Sequence, residues 1–233
     1  MVKKAITIGT TLVLLLGTFI ALNIDPVVKG LTGFFSGKQS APPVISDVAG
    51  NPEAQKFKSF VSLFTSQSSY SFSGAEKITG DAHSGPSATS FSCTVKGGNY
   101  AVRAVKNGHT YRQLFVDGAY TLVDDTTRTV YRNVSYIRFP GSRLNEAFTG
   151  KLTRIKEEIF NGNQVNSFEL YKNGIVYALY FSKNDELIRC FYIYDTHEIT
   201  IDFTRFAIGD ASSVPFSVPA AYARRSSADF SGK

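Results

Sequence analysis

The residues that could take part in acid–base or metal chemistry are few and widely separated in this sequence. The histidines are His83, His109 and His197, and each lies among turn-forming residues. The acid pairs Asp124-Asp125 and Glu157-Glu158 fall in or beside predicted strands, where adjacent side chains point to opposite faces. Serine is abundant, but it never stands in the G-x-S-x-G pattern of a hydrolase nucleophile. We therefore predict no catalytic dyad, no metal site, no cofactor and no enzymatic activity.

The chain has two cysteines, Cys93 and Cys190, each at an apolar alternate position of a predicted strand. In an exported domain, two such residues can form one disulfide. Alternatively, they are separate buried thiols, since cysteine packs as a small hydrophobe. Sequence spacing does not show whether their Cα atoms lie within bonding distance, so both alternatives stand.

Residues 5–24 contain no charged side chain, and Lys3 and Lys4 precede them directly. Twenty apolar residues in a helix span about 30 Å, the thickness of a bilayer's hydrocarbon core. The lysines place the N-terminus in the cytoplasm, so we predict a single-pass membrane anchor with the rest of the chain on the extracytoplasmic side. The alternative is a cleaved signal and a secreted product, but no A-x-A cleavage site ends the run.

The remaining chain divides by composition. Residues 25–50 are rich in Gly, Ser and Pro and predict a linker, residues 51–220 predict one domain, and residues 221–233 predict a disordered tail. The formal net charge is +6, but the basic residues are dispersed. Nucleic-acid binding requires a concentrated basic patch, so we exclude it as a function.

A helix is predicted at the start of the domain. Asn51 is a capping residue, Pro52 suits the first turn, and the acidic Glu53 suits the positive end of the helix dipole. Apolar residues then recur at helical spacing, which predicts a stripe that packs on another element. The stripe consists of Phe57, Phe60, Val61 and Phe64.

Most of the domain predicts antiparallel β-strands. Asn107-Gly108 and Asp117-Gly118 are strong hairpin signals, and four further turn sequences separate alternating apolar runs. Strands at residues 174–181 and 187–194 are apolar on both faces, which predicts cover on both sides. We expect about ten strands in an up-and-down sheet, interrupted between Tyr131 and Val165 by a short helix near residues 142–149.

The segment from Phe115 to Tyr131, with its Asp117-Gly118 turn, resembles a double hairpin of the LolA/LolB-type lipoprotein carriers. Phe206 and the run Phe216-Ser217-Val218-Pro219 are similar to the end of many such domains. This resemblance implies an α+β, mainly β fold: a curled, unclosed antiparallel half-barrel with the N-terminal helix packed in its concave face. It also implies a bacterial cell-envelope protein that handles lipid, although no lipid-attachment cysteine follows residues 5–24.

From these observations we expect a membrane-anchored, extracytoplasmic, non-catalytic domain that binds a lipid, an acyl chain or another apolar ligand. A curled sheet with an apolar concave face can enclose such a molecule, although the same aromatic residues could simply fill the core. The alternative is a subunit of a cell-envelope complex that uses the fold to dock other envelope proteins. The predicted apolar lining comprises Phe57, Phe60, Val61, Phe64, Tyr177, Leu179 and Phe181.

Overall fold

The computed structural model describes residue 48 and residues 50–80, 87–209 and 214–231. The predicted membrane anchor, nearly all of the predicted linker and His83 lie outside these residues. None of the helices within the described ranges has both the length and the apolar character needed to cross a membrane.

The predicted N-terminal helix is present as α1, Pro52–Ser66. The Asn51 side chain accepts a hydrogen bond from the Glu53 amide at 2.9 Å, and Pro52 occupies the first turn. The predicted start of this helix is therefore confirmed, because cap, proline and acid all take the roles that their residue types favour.

Within the described residues, twelve strands form a single sheet that is curled and does not close. The first six are β1 (Ser69–Thr79), β2 (Ser87–Lys96), β3 (Asn99–Lys106), β4 (His109–Val116), β5 (Ala119–Asp124) and β6 (Thr129–Arg132). After the short helix α2 (Leu144–Phe148) come β7 (Lys151–Phe160), β8 (Asn163–Lys172), β9 (Ile175–Ser182), β10 (Leu187–Tyr194), β11 (His197–Ile208) and β12 (Ala223–Arg225).

The spatial order of the strands is β12-β6-β5-β4-β3-β2-β1-β11-β10-β9-β8-β7. Two meanders therefore meet where β1 pairs antiparallel with β11. The mainly β, up-and-down architecture predicted from the sequence is confirmed. At Asn107-Gly108 and Asp117-Gly118, all four residues have positive φ, between 48° and 79°, as a two-residue hairpin turn requires.

Two parts of the predicted fold differ from the structure. The stretch between Tyr131 and Val165 was expected to interrupt the sheet, but it contains strand β7 as well as helix α2. Strand β7 lies at the sheet edge and pairs only with β8 among the described strands. Its sequence mixes charged and apolar residues, as suits an exposed edge strand. The charged residues obscure the alternation of apolar and polar positions by which a strand is recognised in a sequence.

The second difference concerns the C-terminus, where residues 221–233 were expected to be disordered. Strand β12 pairs in parallel with β6, and a 3₁₀ turn follows at Ser227–Asp229. Phe230 then packs against the rings of Tyr131 and Tyr136, at centroid distances of 5.1 and 4.9 Å. These contacts join positions about 100 residues apart, so the polar local sequence does not reveal them.

Helices α1 and α2 lie on the same face of the sheet, and their apolar side chains join the large core cluster there. Phe64 of α1 packs against Phe148 of α2 at a ring-centroid distance of 4.4 Å. The opposite face carries a smaller cluster formed by Ala101, Leu114, Val123, Val130 and Val214. The prediction of cover on both faces is confirmed for the strand at 174–181, where Ile175 to Phe181 are all buried. It holds only in part for the strand at 187–194, where Tyr194 is exposed.

No disulfide joins Cys93 and Cys190, and both side chains are buried. Cys93 belongs to β2 and Cys190 to β10, and strands β1 and β11 lie between them. Three strand spacings amount to roughly 14 Å, far more than a disulfide can span. Of the two alternatives that the sequence allows, the structure therefore shows separate buried thiols.

Candidate ligand-binding cavity

The predicted apolar lining lies in the part of the interior that the helices fill. The Phe57 ring stacks on Phe168 of β8 at 4.7 Å, and Phe60 meets Phe181 of β9 edge-on at 5.0 Å. Tyr177 and Leu179 are fully buried in the same cluster, with Phe64 buried and Val61 partly buried. A void of about 20 Å³ is left beside Phe57, with Glu53, Lys56 and Asp185 at its edge. The seven residues thus meet in a packed core.

A larger cavity, of about 170 Å³, lies under the other half of the sheet. Its lining divides into a floor of sheet residues and a roof of residues from the segment between β6 and α2. The floor is formed by Glu76, Ile78, Thr89, Phe91, Val102, Ala104 and Lys106, and the roof by Tyr136, Ile137, Arg138 and Pro140.

The floor is built by the alternation of strands β1, β2 and β3. Glu76 pairs with Thr89, and in the adjacent row Phe91 pairs with Ala104. Because side chains alternate along a strand, these residues all face the same side of the sheet. Phe91 and Ala104 are buried and Thr89 is exposed, so the cavity has an apolar inner end and a polar mouth.

The roof is held by the side chain of Gln113, a fully buried residue of β4. Its Nε2 donates to the carbonyl of Val134 at 2.9 Å, and its Oε1 accepts from the amides of Tyr136 at 2.8 Å and Ile137 at 3.3 Å. One amide side chain thereby satisfies three backbone groups that a non-helical, buried segment would otherwise leave unpaired. Gln113 is a structural residue of the site that the sequence reasoning missed.

Tyr136 connects the roof to two further elements. The ammonium of Lys106, at the end of β3, lies 3.9 Å from the centre of the Tyr136 ring. Phe230 from the C-terminal segment packs on the same ring. These contacts place the roof between the floor of the cavity and the end of the chain.

Glu76 is the acidic group of the cavity and is 7% exposed. Its Oε1 lies 3.7 Å from Nη2 of Arg138 but makes no hydrogen bond within the described part of the chain. Burial raises the pKa of the Glu76 carboxyl, although the positive charge of Arg138 acts in the opposite direction. One oxygen of this buried carboxyl group therefore lacks the hydrogen bond that it would have in water.

A second buried polar group lies in the same region. The hydroxyl of Tyr192 on β10 makes no hydrogen bond among the described residues, and its ring is almost fully buried. Burial raises the pKa of Tyr192, and the charges of Arg138 and Glu76 also act on it. Unpaired buried polar groups are uncommon in proteins, so the unpaired oxygen of Glu76, which lines the cavity, marks it as a place for a polar contact.

The histidines with described structure lie outside this cavity. His109 Nδ1 is 2.8 Å from Oδ2 of Asp124, whose other oxygen accepts from the amides of Thr126 and Thr127 in the β5–β6 turn. His197 Nδ1 contacts the carbonyl of Asp195 in its own turn. Within residues 50–80, 87–209 and 214–231, no cluster of histidine, cysteine and acidic residues could hold a metal ion.

Burial opposes the ionised form of Asp124, but hydrogen bonds from Thr127, His109 and Thr126 outweigh it, and the pKa of this carboxyl is lowered. Asp125, the next residue, points to the opposite face and pairs with Arg112 at 2.8 Å. The two adjacent carboxylates therefore have separate partners. They stabilise a turn and an ion pair on opposite faces of the sheet.

Comparison with known proteins adds solved structures of similar fold. No family model matches the chain, and neither does any curated protein. An uncharacterised conserved protein from Thermus thermophilus matches 75% of this chain and 99% of its own, at 10% identity and a TM-score of 0.43. A LolA superfamily protein from Nitrosomonas europaea matches 66% of this chain and 94% of its own, at 11% identity and a TM-score of 0.35.

The MucA/MucB complex of Pseudomonas aeruginosa contains a chain that matches 68% of this one over 59% of its own length, at 12% identity and a TM-score of 0.35. The solved structures that the chain resembles thus include a LolA superfamily protein, the family that the sequence also resembles.

Proposed function

We propose that the domain binds a small apolar or amphipathic molecule, or the end of a lipid chain, in the cavity between strands β1 to β3 and the roof segment. The observation that carries this proposal is the cavity itself, because its lining combines buried apolar residues with the buried Glu76 and the exposed Lys106 and Arg138. Such a lining suits a ligand that has an apolar body and a polar end. The role we propose is binding without chemical conversion.

The size of the cavity limits the ligand. A protein cavity of about 150 Å³ accommodates benzene, and this one measures about 170 Å³. The enclosed part of the ligand is therefore a group of benzene size or an alkyl segment of similar bulk. A complete acyl chain would extend out of the mouth, past Thr89, Lys106 and Arg138.

Membrane attachment is a separate part of the proposal. We propose that residues 5–24 anchor the chain and that the domain works on the extracytoplasmic side, where lipid is available as a ligand. Protease treatment of spheroplasts and of lysed cells tests this topology. We expect the domain to be degraded in spheroplasts, where only the outer surface of the cytoplasmic membrane is accessible, and protection there would contradict it.

Photo-crosslinking tests the binding site directly. The full chain, kept in solution with an amphipathic polymer, is irradiated with a short alkyl diazirine, and the labelled peptides are mapped by mass spectrometry. We expect labelling on β2, β3 and the roof segment. Excess 1-hexanol should remove this labelling. Labelling confined to α1, or labelling that 1-hexanol leaves unchanged, would contradict the proposed site.

Two variants of adjacent residues provide the control. Ala104 is buried and lines the cavity, whereas Val105 points to the other face and is 64% exposed. Ala104→Phe fills the cavity and should abolish the competed labelling. Val105→Phe adds the same ring to the same strand outside the cavity and should leave the labelling intact.

A further inference from the structure

We propose that the cavity selects apolar molecules that carry a hydroxyl group, and that Glu76 accepts the hydrogen bond of this hydroxyl. This inference rests on the proposed function, since it assigns the polar end of the ligand whose apolar part the cavity encloses. It starts from the position of Glu76 in the floor of the cavity.

Glu76 has an unused hydrogen-bond acceptor. Its Oε1 is buried and lacks a hydrogen-bond partner among the described residues, and the nearest cation, Arg138, is 3.7 Å away. A buried acceptor without a donor is unfavourable, and hydrogen bonds to charged groups are stronger than those between neutral groups. A ligand that donates a hydrogen bond to Glu76 should therefore bind more tightly than an equally apolar ligand that has no hydrogen-bond donor.

The surrounding charges favour a neutral donor over an ammonium group. Lys106 and Arg138 line the cavity together with Glu76, so an added ammonium would be attracted by Glu76 but repelled by the two cations. An added carboxylate would be attracted by the two cations but repelled by Glu76. An ion also loses more hydration on burial than a hydroxyl does, so the neutral hydroxyl is favoured.

A hydroxyl also matches the remaining hydrogen-bonding groups. It donates one hydrogen bond and accepts others, whereas an ether only accepts. The Arg138 side chain is 47% exposed, so its N–H groups can donate to the ligand oxygen. The wall of the cavity thus offers Arg138 as a donor and Glu76 as an acceptor. They lie beside an apolar inner end formed by Phe91, Val102 and Ala104.

Four probes of similar size test this selectivity. They are 1-hexanol, its isomer methyl pentyl ether, hexylammonium and hexanoate, and each is titrated by ligand-observed NMR against the full chain in an amphipathic polymer. We expect 1-hexanol to bind about tenfold tighter than the ether, as one hydrogen bond to a carboxylate predicts. The two ionic probes should bind more weakly than 1-hexanol.

Substitution of the carboxylate provides the second part of the test. In Glu76→Leu, the preference for 1-hexanol over the ether should fall to about one, while the ether still binds and so reports an intact cavity. Glu157→Leu replaces an exposed glutamate of β7 and should keep the preference. Glu76→Gln retains an acceptor oxygen and should show an intermediate preference.

The possible outcomes separate this inference from the proposed function. Equal binding of 1-hexanol and the ether to the unmodified protein would overturn hydroxyl selectivity and leave the cavity as an apolar site. Tightest binding of hexanoate, lost on substitution of Lys106 or Arg138, would overturn it in favour of an anionic head group. Failure of all four probes to bind would overturn the proposed function itself.

Discussion

Glu76 Oε1 and Arg138 Nη2 lie 3.7 Å apart, close enough for an ion pair but without a hydrogen bond between them. The acid is buried in the floor of the cavity, and the cation is half exposed in the roof. The two residues therefore connect the two sides of the proposed binding site. Their charges also make the stability of the fold depend on pH.

We expect Glu76→Gln to stabilise the protein at pH 7. Burial raises the pKa of Glu76 above its value in the unfolded chain, while Arg138 opposes this and the neutral Tyr192 hydroxyl lies nearby. A raised carboxyl pKa means that the unfavourable contribution of Glu76 is absent below the unfolded pKa and grows as pH rises through the folded pKa.

Glutamine is neutral at every pH, so it removes this dependence. The midpoint of thermal unfolding, followed by near-ultraviolet circular dichroism between about pH 3.5 and 7.5, should be higher for Glu76→Gln at neutral pH. The difference should vanish towards the acidic limit. A variant that is less stable than the unmodified protein at pH 7 would show that Arg138 outweighs burial.

The roof of the cavity should depend on Gln113. Gln113→Leu keeps a buried side chain of similar length but leaves the Tyr136 amide and the Val134 carbonyl without their partner. We expect a loss of about 3 kcal/mol in the free energy of unfolding, together with faster hydrogen exchange at the Tyr136 amide. Gln164→Leu, at an exposed position of β8, is the matched control and should change neither quantity.

Two ion pairs of the same geometry should differ in their contribution to stability. Arg112 binds Asp125 through Nε and Nη2, and Arg189 binds Asp202 in the same way. The Asp125 side chain is 17% exposed and that of Asp202 is 50% exposed. Asp125→Asn should therefore cost about 3 kcal/mol, and Asp202→Asn less than about 1 kcal/mol.

Arg112 also donates to the carbonyls of Pro215 and Ser217, at 3.3 and 2.9 Å. Loss of its carboxylate partner should therefore loosen the segment that covers the smaller core cluster. Limited proteolysis should cleave this segment faster in Asp125→Asn than in Asp202→Asn. Equal cleavage rates would indicate that the ion pair does not hold the segment.

The cysteines should behave as two buried thiols. Because strands β1 and β11 separate Cys93 from Cys190, we expect two titratable thiols in the denatured protein. Addition of a reductant should leave the unfolding temperature unchanged. A mass lower by two hydrogens, restored by reduction, would reveal a disulfide and contradict the strand order.

The parts of the fold that short sequence patterns specify were predictable. Asn51 and Pro52 set the start of α1, and Asn107-Gly108 sets a hairpin, because each pattern determines the backbone within a few residues. The roof of the cavity depends instead on Gln113 reaching Ile137, 24 residues away, and no periodicity reports such a contact.

The polar residues of the candidate site could have been found in part. Glu76 stands at an inward position of β1, between residues that alternate as Phe72, Gly74 and Ile78, so a charged side chain interrupts an apolar face. That interruption is the available sequence signal. Arg138 carries no such signal, because it lies in an irregular segment that the fold brings over Glu76.

The central claim, that an apolar molecule enters the cavity, is tested most directly by two methyl groups on one strand. Ala104 lines the cavity, and Ala101 is buried in the smaller cluster on the opposite face. With alanine methyl groups labelled by carbon-13, titration of 1-hexanol into the full chain should shift the Ala104 resonance saturably and leave Ala101 in place. An unmoved Ala104 resonance, or equal movement of both, would contradict the account.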